Sequence, residues 1–413
     1  MKTLIITVGT QGDVRPYVAL AKGLRAAGYD AELISSASFA GLAAKAGVPF
    51  RSVSADFLSL LDTPEGKRVL AGGNPLTMMQ KVRPMLRELL DDLWRSAQDA
   101  ELILHHPKAL GGAHIAEKLG VPAIIAHPVP MFSPTAAFPS PIVPAASLGP
   151  ALNRLSHRAL LAATVAPFKG LVNDWRREAL GLPPAREQRP AMTLYGFSEV
   201  LLPRPADWDE RTVASGFWFL DEAPGYKPPA DLEAFLASGP APIYVGFGSM
   251  ASEDAAAKGR MVVEALARAG ARGVIATGQG GLALAEGAPH ILSIAGAPHD
   301  WLFPRMAAVA HHGGAGTVAA GLRAGKPSLI CPFLVDQPFW GRRVAALGAG
   351  PQPIPQKKLS VAGLTAAFRQ LLTDDAMQAR AAELAARLQA EDGVGRAVDA
   401  VGRVAGHVAL PVS

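Results

Sequence analysis

The chain has 413 residues, 49% hydrophobic and 18% charged, more than a single core usually holds, which points to two domains. A formal charge of only +5, with no basic tract carrying interleaved aromatics, speaks against a nucleic-acid partner. The single cysteine, Cys331, rules out an internal disulfide. No stretch approaches the roughly 18 apolar residues of a membrane span, and the first apolar run is too short for a secretory signal, so a cytoplasmic location is expected.

In chain order, Leu4–Val8 is a continuous apolar run suited to a strand buried on both faces of a parallel sheet. The turn Gly9-Thr10-Gln11-Gly12-Asp13 follows, then a helix with Tyr17, Leu20, Ala21 and Leu24 on one face, ended by Gly28. Ala31–Ser35, Phe39–Ala46 and Phe50–Val53 continue the strand-helix alternation, and Leu102–Leu104 is a further strand ending in His105 and His106. Between Ala126 and Ala151 lie seven prolines together with Met131, Phe132, Phe138 and Ile142. A long loop with that apolar content reads as the wall of a hydrophobic pocket, and the alternative is a proline-stiffened loop lying on the core. Ala151–Trp175 mixes Leu, Val and Phe with Arg154, Arg158 and Lys169, and two readings stay open for it: a helix packed on the sheet, or a surface resting on a bilayer.

A Pro- and Gly-rich stretch, 221–242, separates the halves, and the same grammar then restarts. Ile243–Phe247 ends in Gly248-Ser249, and Ser252 is placed to cap a helix running to about Ala269. Val274–Thr277, Ile291–Ile294, Ala307–Ala310 and Ser328–Cys331 are further strands, and Ala376–Leu388 is strongly helix-forming. The expected architecture is α/β, with two facing Rossmann-like domains and ligands beyond the carboxyl ends of the strands.

The strand Ala307–Ala310 runs into His311-His312-Gly313-Gly314-Ala315-Gly316-Thr317, and a helix follows. A helix N-terminus with unpaired N–H groups and glycines that admit close approach suits a diphosphate. Asp336 and Gln337 sit just past the next strand, where an acid and an amide can bind sugar hydroxyls, and Ser249 closes the turn after the first strand of this half.

On these motifs, together with Gly296-Ala297-Pro298-His299-Asp300-Trp301-Leu302, Gly9–Pro16 and Leu194–Ser198, the whole chain resembles the UDP-glycosyltransferase superfamily. Within it, the likeness is to the bacterial branch near sterol glucosyltransferases and glycopeptide-antibiotic glycosyltransferases. The resemblance implies the GT-B fold, with residues 1–220 binding an acceptor and 243–385 a nucleotide-sugar. It further implies that 386–413 crosses back to the first domain. It implies that His312 and the backbone of Gly314, Ala315, Gly316 and Thr317 hold the diphosphate, that Asp336 and Gln337 hold the sugar, and that Pro298 and His299 read the base.

Inverting transfer needs a base for the acceptor hydroxyl, and Asp13, at the turn after the first strand, is the candidate; the competing reading is an ordinary first-turn helix acid. His105, His106 and His127 are candidates for the acceptor side with Met131, Phe132 and Phe138, the competing reading of the histidines being a structural role. Asp207-Trp208-Asp209 has metal-binding spacing but lies in a Pro-rich segment away from the phosphate turn, so no metal and no cofactor beyond the sugar donor is expected. Where many relatives carry a ribose-binding glutamate, this chain has Ala320, so a dTDP-sugar stands beside a UDP-sugar as donor. The acceptor class implied is an apolar hydroxylated molecule such as a sterol, lipid or polyketide. The competing functions are a sugar-nucleotide epimerase and a nucleotide- or NAD-binding protein without chemistry. No feature specifies an oligomeric state.

Overall fold

The structure, a computed structural model, describes residues 1–53, 75–186, 189–248, 254–277, 281–284 and 288–408. Among these residues lie two wholly parallel sheets. The first contains β1 (Lys2–Ile6), β2 (Asp30–Ser36), β3 (Phe50–Val53), β4 (Leu102–His105), β5 (Ala123–His127), β6 (Met192–Tyr195) and β7 (Thr212–Ala214), in the order β3-β2-β1-β4-β5-β6-β7. The second contains β8 (Ile243–Gly246), β9 (Gly273–Ala276), β10 (Ile291–Ile294), β11 (Ala308–His311) and β12 (Ser328–Ile330), in the order β10-β9-β8-β11-β12.

The apolar run at the start of the chain is explained by alternation. Leu4 and Ile6 point to one face, among Leu89, Leu90 and Leu93 of the helix Pro75–Ser96. Ile5 points to the other, among Val14, Tyr17 and Leu20 of the helix Gln11–Ala26. With both faces covered every position must be apolar, and each fully buried Leu or Ile stabilises by roughly 1.5–3 kcal/mol.

Two boundaries differ from the expected ones. The stretch 221–242 is not all linker: it contains the helix Ala230–Ala237, whose Leu232 packs with Val274, Leu302 and Val309 of the second domain. Pro- and Gly-rich flanks hid a short helix. At the other end, the helix Asp375–Gln389 still belongs to the second domain, with Leu384 and Leu388 packed near Val318 and Leu322. Only the next helix, Gly393–Val408, joins the first domain, burying Ala397, Ala400 and Val401 beside the helix Gln11–Ala26. The crossing therefore falls at 390–392 and not at 386. Ser252 lies outside the described residues, and the helix it was expected to cap is Ala255–Ala269.

The loop 128–149 has no regular secondary structure and is followed by the helices Pro150–Val165 and Lys169–Trp175. Trp175 and Val172 enter the core beneath the first sheet, whereas the helix Pro150–Val165 buries only Asn153 and His157. No described helix is long and apolar enough to cross a membrane.

The crossing is tight. A Cβ on Gly393 would lie 2.3 Å from the Phe217 carbonyl oxygen and 2.7 Å from the Gly216 carbonyl carbon. Backbone cannot yield as a side-chain tip can, and such overpacking costs about 1–3 kcal/mol. Gly393→Val is expected to lower the thermal melting temperature and to loosen the last helix, read as faster amide exchange in 393–408; an unchanged melt would contradict this.

Candidate active site

In each sheet, the chain reverses its direction of winding between the first strand and the fourth, β1 beside β4 and β8 beside β11. Connections leave such a pair in opposite directions and open a crevice past its carboxyl ends. Asp13 and His106 lie past the first crevice, His312 and Gly314 past the second.

Asp13 occupies the first turn of its helix and has two kinds of partner. Its Oδ2 accepts the Thr10 N–H at 2.8 Å and the Thr10 hydroxyl at 3.0 Å, the acid's half of a capping arrangement. Its Oδ1 accepts from Lys108 Nζ at 2.7 Å and lies 3.5 Å from Nε2 of the fully buried His106. The His106 Nδ1 accepts the Lys108 N–H at 2.9 Å, which assigns its proton to Nε2, facing the carboxylate. That Nε2–H has no hydrogen-bond partner among the described residues. Burial drives the His106 pKa well below its usual value, with His127 and Lys108 adding to the effect, so the ring is neutral at pH 7. Asp13 is thus both a helix cap and the charged centre of a cluster, and the two readings of it are not exclusive.

His127 stands next to His106, with ring centroids 4.7 Å apart, and meets Phe132 edge-on at 4.9 Å. The Val129 N–H donates to its Nδ1 at 2.9 Å. Burial lowers its pKa to about 4. His105 is not part of this group. As the neighbour of His106 along the chain it turns to the opposite face, where a Cβ on Gly112 would be 2.4 Å from its ring. The structure therefore moves His105 from the acceptor side to the core beneath the sheet.

In the second crevice, β11 ends at His311, whose buried Nδ1 accepts the Gly313 N–H at 3.1 Å. Gly313 has φ +94° and Gly248 has φ +66°, conformations that side-chain-bearing residues avoid. A Cβ on Gly248 or Gly314 would come within 3.0 Å or 2.8 Å of the His312 ring, so small residues on both sides make room for it. The helix Ala315–Arg323 starts there, with the Thr317 and Val318 N–H groups both directed to the Gly314 carbonyl. The N–H groups of Gly314, Ala315 and Gly316 make no hydrogen bond among the described residues, and no acid occupies the first turn. That geometry leaves three N–H groups able to meet an anion. Burial lowers the His312 pKa to about 4, so that ring contributes hydrogen bonds and not charge.

Asp336 precedes the helix Gln337–Ala346 and accepts from Trp340 Nε1 at 3.0 Å. Burial raises its carboxyl to about 6, with the charge of Asp13 adding to the rise and Lys108 opposing it. The two acids therefore sense one another across the cleft. Gln337 spends its carbonyl on the Phe333 N–H at 2.8 Å, which shapes the turn before Asp336. In that turn Val335 holds φ +60°, a strained state for a β-branched residue that costs about 1–3 kcal/mol. Pro298 begins the short helix His299–Leu302. The His299 ring stacks on Phe303 at 4.2 Å, and burial, followed by the charge of Arg15, lowers its pKa to about 4. Trp301 packs against Tyr226 and Arg305. Ser249 lies outside the described residues.

The remaining acceptor-side residues divide. Phe132 stays with His127, and Met131 packs at the edge of a core shared by both domains. Phe138 does not line a pocket: it is buried against Phe339 of the second domain, 5.7 Å between centroids.

Residues 3–138 match the glycosyltransferase family 28 N-terminal domain, and 260–396 the erythromycin biosynthesis protein CIII-like C-terminal domain. The chain is 37% identical to a sterol 3-beta-glucosyltransferase of Arabidopsis thaliana, over 97% of this chain and 65% of the relative. It is 35% identical to a sterol 3-beta-glucosyltransferase of Emericella nidulans, over 98% of this chain and 30% of the relative. The chain thus spans less than two thirds of the length of either. A solved structure, the glycotransferase of kitacinnamycin, superposes with a TM-score of 0.74 at 19% identity, covering 98% of both chains. The chain has the GT-B fold.

In this GT-B chain Asp207 is a tether. It accepts from Thr135 Oγ1 at 2.7 Å, the Ala136 N–H at 2.8 Å and Arg154 at 2.8 Å, and these partners outweigh burial to bring its pKa to about 2. Lys108, which the sequence reading missed, could have been found from its place two residues past His106 on the loop after β4, opposite the Asp13 turn. The raised carboxyl of Asp336 has a sign that can be checked. Its pKa is about 6 when folded against about 4 when unfolded, so the folded state loses stability as pH rises through that window and the acid ionises. Asp336→Asn, which keeps an acceptor for Trp340, is expected to gain stability relative to the parent between about pH 4 and 6. Melting curves across that range check it, and a constant difference would contradict the assignment.

Proposed function

We propose that the protein is an inverting glycosyltransferase that moves a hexose, glucose by its likeness to the sterol enzymes, from a nucleoside diphosphate sugar to a hydroxyl of an apolar acceptor. The observation that carries this reading is the pairing of two crevices: a carboxylate with a lysine and a histidine in one, and unpaired helix N–H groups in the other, near enough for Asp336 to feel Asp13.

Asp13 takes the acceptor hydroxyl's proton as the oxygen attacks the anomeric carbon from the face opposite the diphosphate. Lys108, bonded to its Oδ1 at 2.7 Å, holds the carboxylate in place beforehand. The leaving diphosphate gathers charge, which the Gly314, Ala315 and Gly316 N–H groups and the helix dipole stabilise without a metal ion. Asp336, mostly ionised at pH 7, and the Gln337 amide accept and donate to sugar hydroxyls, and the backbone at Pro298 and His299 meets the base. Ala320 offers the ribose no carboxylate, which supports dTDP- as well as UDP-sugars as donors. The acceptor enters beside His127 and Phe132.

The test is incubation with UDP-glucose or dTDP-glucose and a panel of sterol, lipid and polyketide acceptors, with products followed by mass. Asp13→Asn keeps an acceptor for Thr10 and is expected to cut turnover by about 10²–10⁴-fold, the scale of general-base catalysis, while nucleoside diphosphate affinity changes little. Near-normal turnover in Asp13→Asn would remove the base assignment. A larger thermal shift with NAD than with UDP or dTDP would overturn the transferase reading.

A further inference from the structure

The helix Pro150–Val165 is amphipathic the wrong way round for a surface helix. Its inward side carries polar residues. Asn153 donates to the Ala136 carbonyl at 2.9 Å and accepts the Leu148 N–H at 2.8 Å. His157 sets Nδ1 3.2 Å from the Met131 carbonyl and Nε2 3.1 Å from that of Phe138. Ser156 accepts the Ser140 N–H at 2.8 Å. The polar face is thus consumed in clamping the loop 128–149.

The apolar residues are left outside. Leu152 and Leu155 are 54% and 55% exposed, and Val165 55%. At about 100° per residue, Leu152, Leu155, Ala159, Ala162 and Ala163 share a stripe roughly 100° wide. Ile142 and Leu148, on the clamped loop just before the helix, are also exposed. Five of the eight exposed large hydrophobics among the described residues thus fall within residues 142–165, a concentration in one stretch of chain.

Charge selects the occupant. From His127 to Asn153 there is no Asp, Glu, Lys or Arg, and from there the chain carries Arg154, Arg158 and Lys169 before its first acid, Asp174. Arg154 is taken by Asp207. Arg158 and Lys169 are exposed and make no ion pair among the described residues. An apolar stripe with unpaired cations beside it matches an acyl boundary under anionic headgroups.

We propose that this face seats the protein on an anionic phospholipid bilayer, with Leu152 and Leu155 in the headgroup-acyl boundary and Arg158 and Lys169 on lipid phosphates. The loop clamped to the same helix leads back to Phe132 and His127, so an apolar molecule dissolved in the bilayer has a short route to the cleft. Docking itself does not depend on the proposed chemistry and is read without it.

The full chain is mixed with phosphatidylcholine vesicles with or without about 30 mol% phosphatidylglycerol, and the bound fraction is measured by flotation. Binding to the anionic vesicles is expected, falling at least about tenfold in Leu152→Ser/Leu155→Ser. Arg158→Glu/Lys169→Glu is expected to remove the preference for anionic lipid. Both pairs are exposed, so melting temperatures should stay at the parent value. Failure of the parent to bind, or binding by the leucine variant equal to the parent, would overturn the proposal. So would light scattering that shows the parent as a dimer and the leucine variant as a monomer, since a second copy would then cover the face.

Discussion

The site rests on how residues 215–223 hold the two domains together. Asp13 belongs to one domain and the unpaired N–H groups of Gly314, Ala315 and Gly316 to the other. Arg15, two residues beyond Asp13, pairs with Glu222. The Glu222 and Ala223 N–H groups donate to Asp300 at 2.8 and 2.6 Å, and Asp221 receives Arg323, at the end of the phosphate-site helix, at 2.6 and 3.1 Å. These groups are partly exposed, and each pair alone adds little. Their effect is geometric: they connect the helix of Asp13, the linker and the helix Ala315–Arg323 in sequence. Arg342 adds a contact from the other side, donating to the Val143 carbonyl at 3.1 Å.

The histidines of the cleft show how burial decides what a charged ligand meets. His106, His127, His299, His311 and His312 all have pKa values pushed down, with desolvation as the leading cause in each. None carries a proton charge at pH 7. The imidazoles therefore add no positive charge beside the unpaired N–H groups of Gly314, Ala315 and Gly316, whose dipoles do not titrate. The titrating group near neutrality is instead Asp336.

Much of this was legible in the sequence because local rules carry it. Continuous apolar runs marked β1 and β4, and glycines at strand ends marked both turns, since only small residues tolerate φ +94° at Gly313 or the approach of His312 to Gly314. What escaped was set by long-range packing. Strand alternation sends His106 to Asp13 and His105 to Gly112, and a sequence with two adjacent histidines does not say which faces the cleft. Phe138 has the composition of a pocket wall, yet its partner is Phe339, some two hundred residues away. The helix Ala230–Ala237 was hidden among prolines and glycines, and Lys108 matters only because β4 pairs with β1.

The contact of Gly393 with the backbone of Gly216 and Phe217 bears on how relatives could be recombined. Halves of two such proteins joined in the linker would carry the last helix with the wrong parent, since residues 393–408 follow the second domain in sequence but share the first domain's core through Ala397 and Val401. A workable hybrid needs a second junction at 390–392, so that the first domain travels with both its body and its distant strap. The molecule is better regarded as one domain inserted into another than as two in tandem.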